Sequence, residues 1–429
     1  MSLMPACNSR LIACLIALVT ASFFAEPLVA EDWPEFRGPT GQGHSSEKNL
    51  PIEWGPEKNV KWKAAIPGLG WSTPILVKGR IYLTTAVPVG EGDKPDQSLR
   101  AMCLDVKTGD LLWDEEVFVQ EGETAPAIHG KNSHASPSPL IVKDRLFVHF
   151  GHMGTACLDL QGKPMWSNRD LAYKPVHGNG GSPIYVASSS GGSLIYTADG
   201  ASDPLVIALN ATNGEVRWKY ARPEVTSNRF AFATPLAIEV NGQQQVVAPG
   251  GGSVSGINPE DGSEIWRSFY GEGYSVIPRP IFAHGLVFVS SSYNTPIAFA
   301  IRPDGRGDVT ETHIAWQTEK GAPHTPSMLV VGDELYMVSD GGIATCYNAK
   351  TGEQHWLQRL GGGFSSSPVY ADGNIYFVNE EGKGTVIAPG KKYKKLAENG
   401  FGERTLASYA IGDGAIFVRT NKHLYRVQK

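Results

Sequence analysis

Three phrases of one pattern constrain this chain more than any other feature: CLDVKTGDLLW (Cys103 to Trp113), ALNATNGEVRW (Ala208 to Trp218) and CYNAKTGEQHW (Cys346 to Trp356). Extending the alignment collects Trp62, Trp113, Trp166, Trp218, Trp266, Trp316 and Trp356, at gaps of 51, 53, 52, 48, 50 and 40 residues. Leu396, forty residues further on, is assigned the eighth slot. A period of this size marks an array in which each unit is one small supersecondary element. In five units a glycine stands four residues before the indole: Gly109, Gly162, Gly214, Gly262 and Gly352. Glycine accepts the left-handed backbone of a tight turn, and the preceding Asp or Asn can hydrogen-bond that turn. The phrase therefore reads strand, turn, strand.

A second signature interleaves with the first. Pro74, Pro139, Pro183, Pro235, Pro280, Pro326 and Pro368 each open a short apolar strand, and Tyr409 holds the eighth place. Most are followed by a turn and another apolar run, as in VKGRIYLTT and ADGNIYFVN. Four short antiparallel strands in forty to fifty residues is the size of a propeller blade. The tail supplies three strands and stops, while NVKWKAAIP supplies an orphan strand near the start. Pairing the two completes an eighth blade and leaves no exposed sheet edge. The predicted architecture is all-β, an eight-bladed β-propeller over residues 60–429, with seven blades as the alternative if the long insertions at 86–98 and 119–133 disguise a boundary. Composition agrees, with 49 Gly, 29 Pro and 41% hydrophobic residues in 429, enough apolar material for a core and many tight turns.

The first thirty residues read as a segment outside that fold. Arg10 precedes LIACLIALVTASFFA, then EPLVA and the polar EDWPEF, the layout of a secretory signal peptide with cleavage near Ala30. The apolar run is shorter than the ~20 residues of a membrane-spanning helix. Removing one Arg and one Glu with residues 1–30 leaves the net charge at −5, a mild acidity that argues against nucleic-acid binding. A periplasmic or secreted protein without a membrane span, monomeric and with an unidentified protein or small-molecule partner, is expected. Cys103, Cys157 and Cys346 occupy the small-residue slot of different repeats, so they are expected as buried packing residues without disulfides. The segment 31–59, with Trp33, Phe36 and Trp54, is expected as an extension packed across the outside of the propeller.

The pattern of Ala or Cys, Asp or Asn, Thr-Gly and Trp resembles the tryptophan-docking repeat of the PQQ-type β-propellers. That family includes quinoprotein alcohol dehydrogenases and the propeller lipoprotein of the outer-membrane assembly machinery. The resemblance implies that the small first residue and the glycine pack on the Trp of a neighbouring blade. The quinoprotein dehydrogenases are implied to use an adjacent Cys-Cys ring, a Trp beneath the quinone, Ca²⁺ held by Glu and Asn, and an Asp base. This chain has no Cys-Cys pair, no haem C-x-x-C-H and no successive Glu, Asn and Asp in the family's order. The expectation is a non-catalytic ligand- or protein-binding scaffold without a cofactor; a PQQ- and Ca²⁺-dependent alcohol or sugar dehydrogenase is the alternative.

Function is expected where the repeats disagree. Just before the signature Pro stand Thr73, Ser138, Ser182, Thr234, Arg279, Thr325, Ser367 and Ser408: seven hydroxyls and one arginine. Arg279 reads either as a salt bridge to a neighbouring blade or as an anion-recognising group in the channel mouth. Loops feeding the same rim add Trp71, His129, Lys131, Asn132, His134, His177, Asn179, Arg229, Tyr274, His324 and Arg404 as candidate ligand contacts. No histidine pair has close metal-ligand spacing, so no metal is assigned. PDGRGD (Pro303 to Asp308) is expected to be a plain blade turn.

Overall fold

The computed structural model describes residues 1–2, 31–171, 173–188 and 191–429; the leader expectation and its cleavage point near Ala30 fall on 3–30, outside the described residues. The chain forms eight sheets arranged as an eight-bladed β-propeller. Blade 1 is typical: Ile75–Val77, Arg80–Val89, Asp96–Asp105 and Leu111–Gln120 pair antiparallel in sequence order. The insertion at 86–98 lengthens its two middle strands into one long hairpin. The innermost strands of blades 2–8 are Leu140–Val142, Ile184–Val186, Leu236–Val240, Ile281–Ala283, Leu329–Val331, Val369–Ala371 and Ala410–Gly412. Blade 8 takes its outermost strand from the front of the propeller, with Val60–Ala65 antiparallel to His423–Val427.

The repeated phrase joins blades. A Cβ on Gly214 would lie 2.5 Å from the Trp166 ring, and one on Gly109 2.8 Å from Trp62, so each glycine receives the indole of the preceding blade. Both glycines sit at φ 77, where another residue would be strained. The indole N–H then donates to the same neighbour, as Trp62 to Val106 O (3.1 Å), Trp113 to Leu160 O (3.1 Å) and Trp218 to Pro259 O (2.9 Å). The small residue has a different role from the glycine. Cys103, Ala208 and Cys346 lie directly opposite Trp113, Trp218 and Trp356 within one blade, so the indole crosses over them to its neighbour. Burying each indole contributes about 2–3 kcal/mol.

Two units depart from the pattern. In blade 7 Val386 faces Ala397, and Leu396 falls in the bulge, so Ala397 occupies the eighth slot. The PDGRGD segment is more than a turn: Gly307–Asp308 adds a fifth, parallel strand beside Trp266, followed by one helical turn at Thr310–His313. This strip covers Trp266, whose N–H turns back to Gln245 Oε1 of its own blade at 2.7 Å.

The extension does not run around the outside. Residues 31–50 thread across one end of the axis, against the innermost strands. Trp33 exchanges backbone hydrogen bonds with Leu76 of blade 1, Pro34 O accepts from Ile141 of blade 2, and Ser45 N donates to Tyr370 O of blade 7. Trp54 is then buried against Tyr376 and Tyr409 before the closing strand begins.

Candidate functional site

The innermost strands carry a hydrogen-bonded girdle. Thr73 N donates to Ser138 Oγ, Ser138 N to Ser182 Oγ, and Ser182 N to Thr234 Oγ1, each at 2.9 Å. Arg279 N donates to Ser327 Oγ, Ser327 N to Ser367 Oγ, and Ser367 N to Ser408 Oγ, at 2.9–3.0 Å. In blade 6 the ring position is therefore Ser327, two residues beyond the expected Thr325, because Met328 rather than Pro326 precedes the strand. The girdle surrounds an axial cavity of about 300 Å³, open at one end and floored by Phe36 of the extension.

Arg279 turns away from the mouth. Its guanidinium is 2% exposed and clamps the extension, with Nε on Pro235 O (3.1 Å), Nη1 on Phe36 O and Nη2 on Glu35 Oε2 (3.4 Å). Gly41 lies flat against that guanidinium, where a Cβ would sit 2.6 Å from it. Arg37 is equally buried and donates to Met328 O and Gln42 O at 2.8 Å. Burial, with the like charge of Arg279 beside it, pulls its pKa down to about 9. The arginine that breaks the hydroxyl pattern thus seals the closed end, and its ion-pair partner, Glu35, lies on the extension rather than on another blade.

Of the other candidates, Trp71, His129, Lys131, Asn132, His177 and Tyr274 line the cavity. Ring contacts link six aromatic or imidazole groups around the mouth: His129 to His177 (5.6 Å), His177 to Phe230 (5.6 Å), Phe230 to Tyr274 (5.4 Å), Tyr274 to Tyr293 (6.2 Å) and Tyr293 to His324 (4.7 Å). The insertion around 121–136 arches over this rim. Asn132 Nδ2 donates to His177 O at 2.9 Å on one side, and Arg404 to Gly130 O at 2.7 Å on the other. Lys131 Nζ lies 2.8 Å from Glu380 and 3.7 Å from Asp340. Burial pulls the Lys131 ammonium down, but the Glu380 hydrogen bond and the Asp340 charge outweigh it, and its pKa is raised.

The remaining candidates stand behind or away from the lining. His324 stacks on Tyr293, and Arg404 lies 5.7 Å over the Trp71 ring. Arg229 pairs with Glu224 at 3.1 Å. His134 and Asn179 belong to a buried cluster below the arch. There His134 Nδ1 meets Gln120 Oε1 at 3.0 Å, and Asn179 bridges His152 Nδ1 (3.1 Å) and Tyr173 OH (2.9 Å). Burial, and less strongly the neighbouring His152, depress His134 to about 4 and His149 to about 3. Among the described residues no three acidic, His or Cys side chains gather as a metal site.

A family model of the PQQ-repeat type, described as outer membrane protein assembly factor BamB, matches residues 46–194, 189–328 and 305–392. The chain belongs to this BamB-type PQQ-repeat family. Tetrathionate hydrolase of Acidithiobacillus ferrooxidans is 25% identical over 223 residues, 44% of this chain and 39% of that protein. Outer membrane protein assembly factor BamB of Burkholderia pseudomallei is 32% identical over 101 residues, 24% of this chain and 26% of its own length. The chain thus spans less than half the length of either relative. The structure of BamB from Moraxella catarrhalis superimposes with a TM-score of 0.58 at 12% identity, covering 86% of this chain and 99% of that one. Quinohemoprotein alcohol dehydrogenase from Comamonas testosteroni gives 0.65 at 11% identity, covering 93% and 81%. At these identities the likeness shows the fold.

Within that fold, sequence reading missed Phe230, Phe232, Tyr293, Asp340 and Glu380 around the mouth. A signal for the two acids exists. Each stands two residues past the end of the second strand of its blade, at Val338 and Val378, an equivalence that the Trp and Pro frames do not include. Tyr293 sits in a hairpin outside either signature.

Proposed function

We propose that this chain is a non-catalytic binding or scaffold module whose axial mouth takes a ligand or a segment of a partner protein. The lining of the cavity carries the reading. Aromatic rings and hydroxyls converge on one concave space, the usual composition of a binding pocket, while no carboxylate or cysteine is among the residues that line it. Its one lysine is engaged by Glu380 and Asp340.

The alternative is a PQQ-dependent oxidoreductase acting on an alcohol or sugar, supported by the fold shared with quinohemoprotein alcohol dehydrogenase. The residues present do not fit PQQ with Ca²⁺. The described cysteines are buried singly, each opposite an indole: Cys103 at Trp113, Cys157 at Trp166 and Cys346 at Trp356. The acids nearest the mouth already hold protein donors: Asp340 accepts from the His324 and Thr325 amides, and Glu380 from Ser365. A protein calcium site is built around carboxylate oxygens, and no carboxylate lines the cavity.

Export to the periplasm or beyond belongs to the same proposal, resting on the apolar stretch ahead of Ala30 and on kinship with an outer-membrane assembly factor. Among the described residues no helix is long and apolar enough to cross a membrane. The test is to add PQQ and Ca²⁺ to the purified protein with alcohols or sugars and a redox dye. No quinone absorbance and no dye reduction are expected; binding with turnover overturns the proposal.

A further inference from the structure

The girdle leaves a chemical asymmetry on the cavity wall. Ser138, Ser182, Thr234, Ser327, Ser367 and Ser408 each accept an amide N–H from the preceding blade. A hydroxyl also carries a proton to donate. Among the described residues none of the six donates it to a protein acceptor, although all are at most 5% exposed and line the cavity. The wall therefore offers protons, while part of its accepting capacity is already spent on amides. A neutral polyol, which needs both roles from its site, matches this poorly; a ligand of bare acceptors matches it well.

Charge behind the wall points the same way. Three guanidiniums are buried around it: Arg279 in the ring, Arg37 beside the floor residue Phe36, and Arg419 donating to the carbonyl and hydroxyl of Ser72. Among the described residues they have one carboxylate between them, Glu35, which pairs with Arg279. Arg37 and Arg419 rest on carbonyl and hydroxyl oxygens alone, and burial pulls both down to about 9. Buried cations without counter-charge raise the free energy of the fold, and an anion on the axis would lower it.

We propose that the cavity holds a compact oxyanion, a sulfate-, phosphate- or carboxylate-type group, free or at the end of a longer ligand, with its oxygens accepting from the ring hydroxyls. This deepens the reading of the mouth as a binding site and rests on it.

The experiment is calorimetric titration of the purified protein with sodium sulfate, sodium phosphate and sodium benzoate, at an ionic strength held constant with sodium chloride. Melting temperature is followed in parallel. Saturable binding and a rise in Tm are expected with at least one of the three. Sulfate or phosphate binding identifies a free inorganic ion, and benzoate alone identifies the end group of a longer ligand. The double variant Ser182→Ala, Ser367→Ala should weaken binding about tenfold or more, while Ser182→Thr with Ser367→Thr, which keeps both hydroxyls, retains it. No saturable heat with any of the three, or binding indifferent to the alanine pair, overturns the inference. Dye reduction with PQQ is scored separately. Oxyanion binding with turnover removes only the non-catalytic reading, and neither binding nor turnover removes only this one.

Discussion

The two ends of the propeller axis are closed by different physics. At the closed end, residues 31–50 lie against the innermost strands, held by buried Arg37 and Arg279 and by backbone pairing at Leu76 and Tyr370. At the mouth, the arch around 121–136 is held by half-exposed groups: Lys131 on Glu380, Arg404 on Gly130 and Asn132 on His177. A buried charge that loses its partner is costly, whereas a solvated pair contributes little. One end is therefore built as permanent structure and the other as a latch.

The largest effect expected lies between the two ends. Trp218→Ala removes a buried indole and its bond to Pro259, and should cost about 4 kcal/mol in urea unfolding. Because both ends hang on the same ring, segment-resolved hydrogen exchange should rise at each. Exchange confined to one end would show that the ends are stabilised independently.

Next comes Arg279→Ala, which strips Glu35 and Phe36 O of their clamp and should cost about 3 kcal/mol, with faster exchange in 33–45 and little change in 121–136. A loss near zero would make the closed end a latch too.

Acidification should act first on the histidines below the arch, His134 on Gln120 and His149 on Thr155. His134 and His149 are held below the ordinary histidine value, near 4 and 3, so the unfolded chain binds their protons more tightly. Their contribution is complete above about pH 6.5 and is lost as pH falls toward those values, on the order of 2 kcal/mol by pH 5 from fully buried His149 and less from His134, which solvent screens. Glu35 has the opposite sign, because burial raises its pKa despite the opposing Arg279 charge and hydrogen bond. Its unfavourable desolvation is relieved, not worsened, by acid. His149→Gln should flatten the pH dependence of the unfolding midpoint; an unchanged slope would place the titration elsewhere.

The smallest effect belongs to Lys131→Met, under about 1 kcal/mol, yet proteolysis within 121–136 should accelerate. Unfolding as severe as that of Arg279→Ala would erase the contrast between the ends.

The ring was legible in the sequence because its parts are local and periodic: glycine, indole and apolar run recur within one blade, so Gly109 and Trp113 announce each other. The closed end was not, because 31–59 has no period and Arg37 finds Met328 across 291 residues. Arg279 stood out correctly as an exception, but residue type alone does not say which way a guanidinium turns along an axis. Pro326 imitates the frame two residues early, so the pattern points to Thr325 where the ring holds Ser327. Half of the candidate site emerged from loop polarity, as with His129 and Tyr274. Tyr293 and Glu380 did not, since hairpins outside the signatures bring them to the rim.

The pairing of Val60–Ala65 with His423–Val427 has a consequence for biogenesis. Loop closure over that span carries an entropic penalty that nothing offsets until the last blade exists, so a nascent chain cannot lock its circle before His423–Val427 has been made. Deleting the strand His423–Val427 would leave Val60–Ala65 without its partner, a horseshoe where a ring belongs.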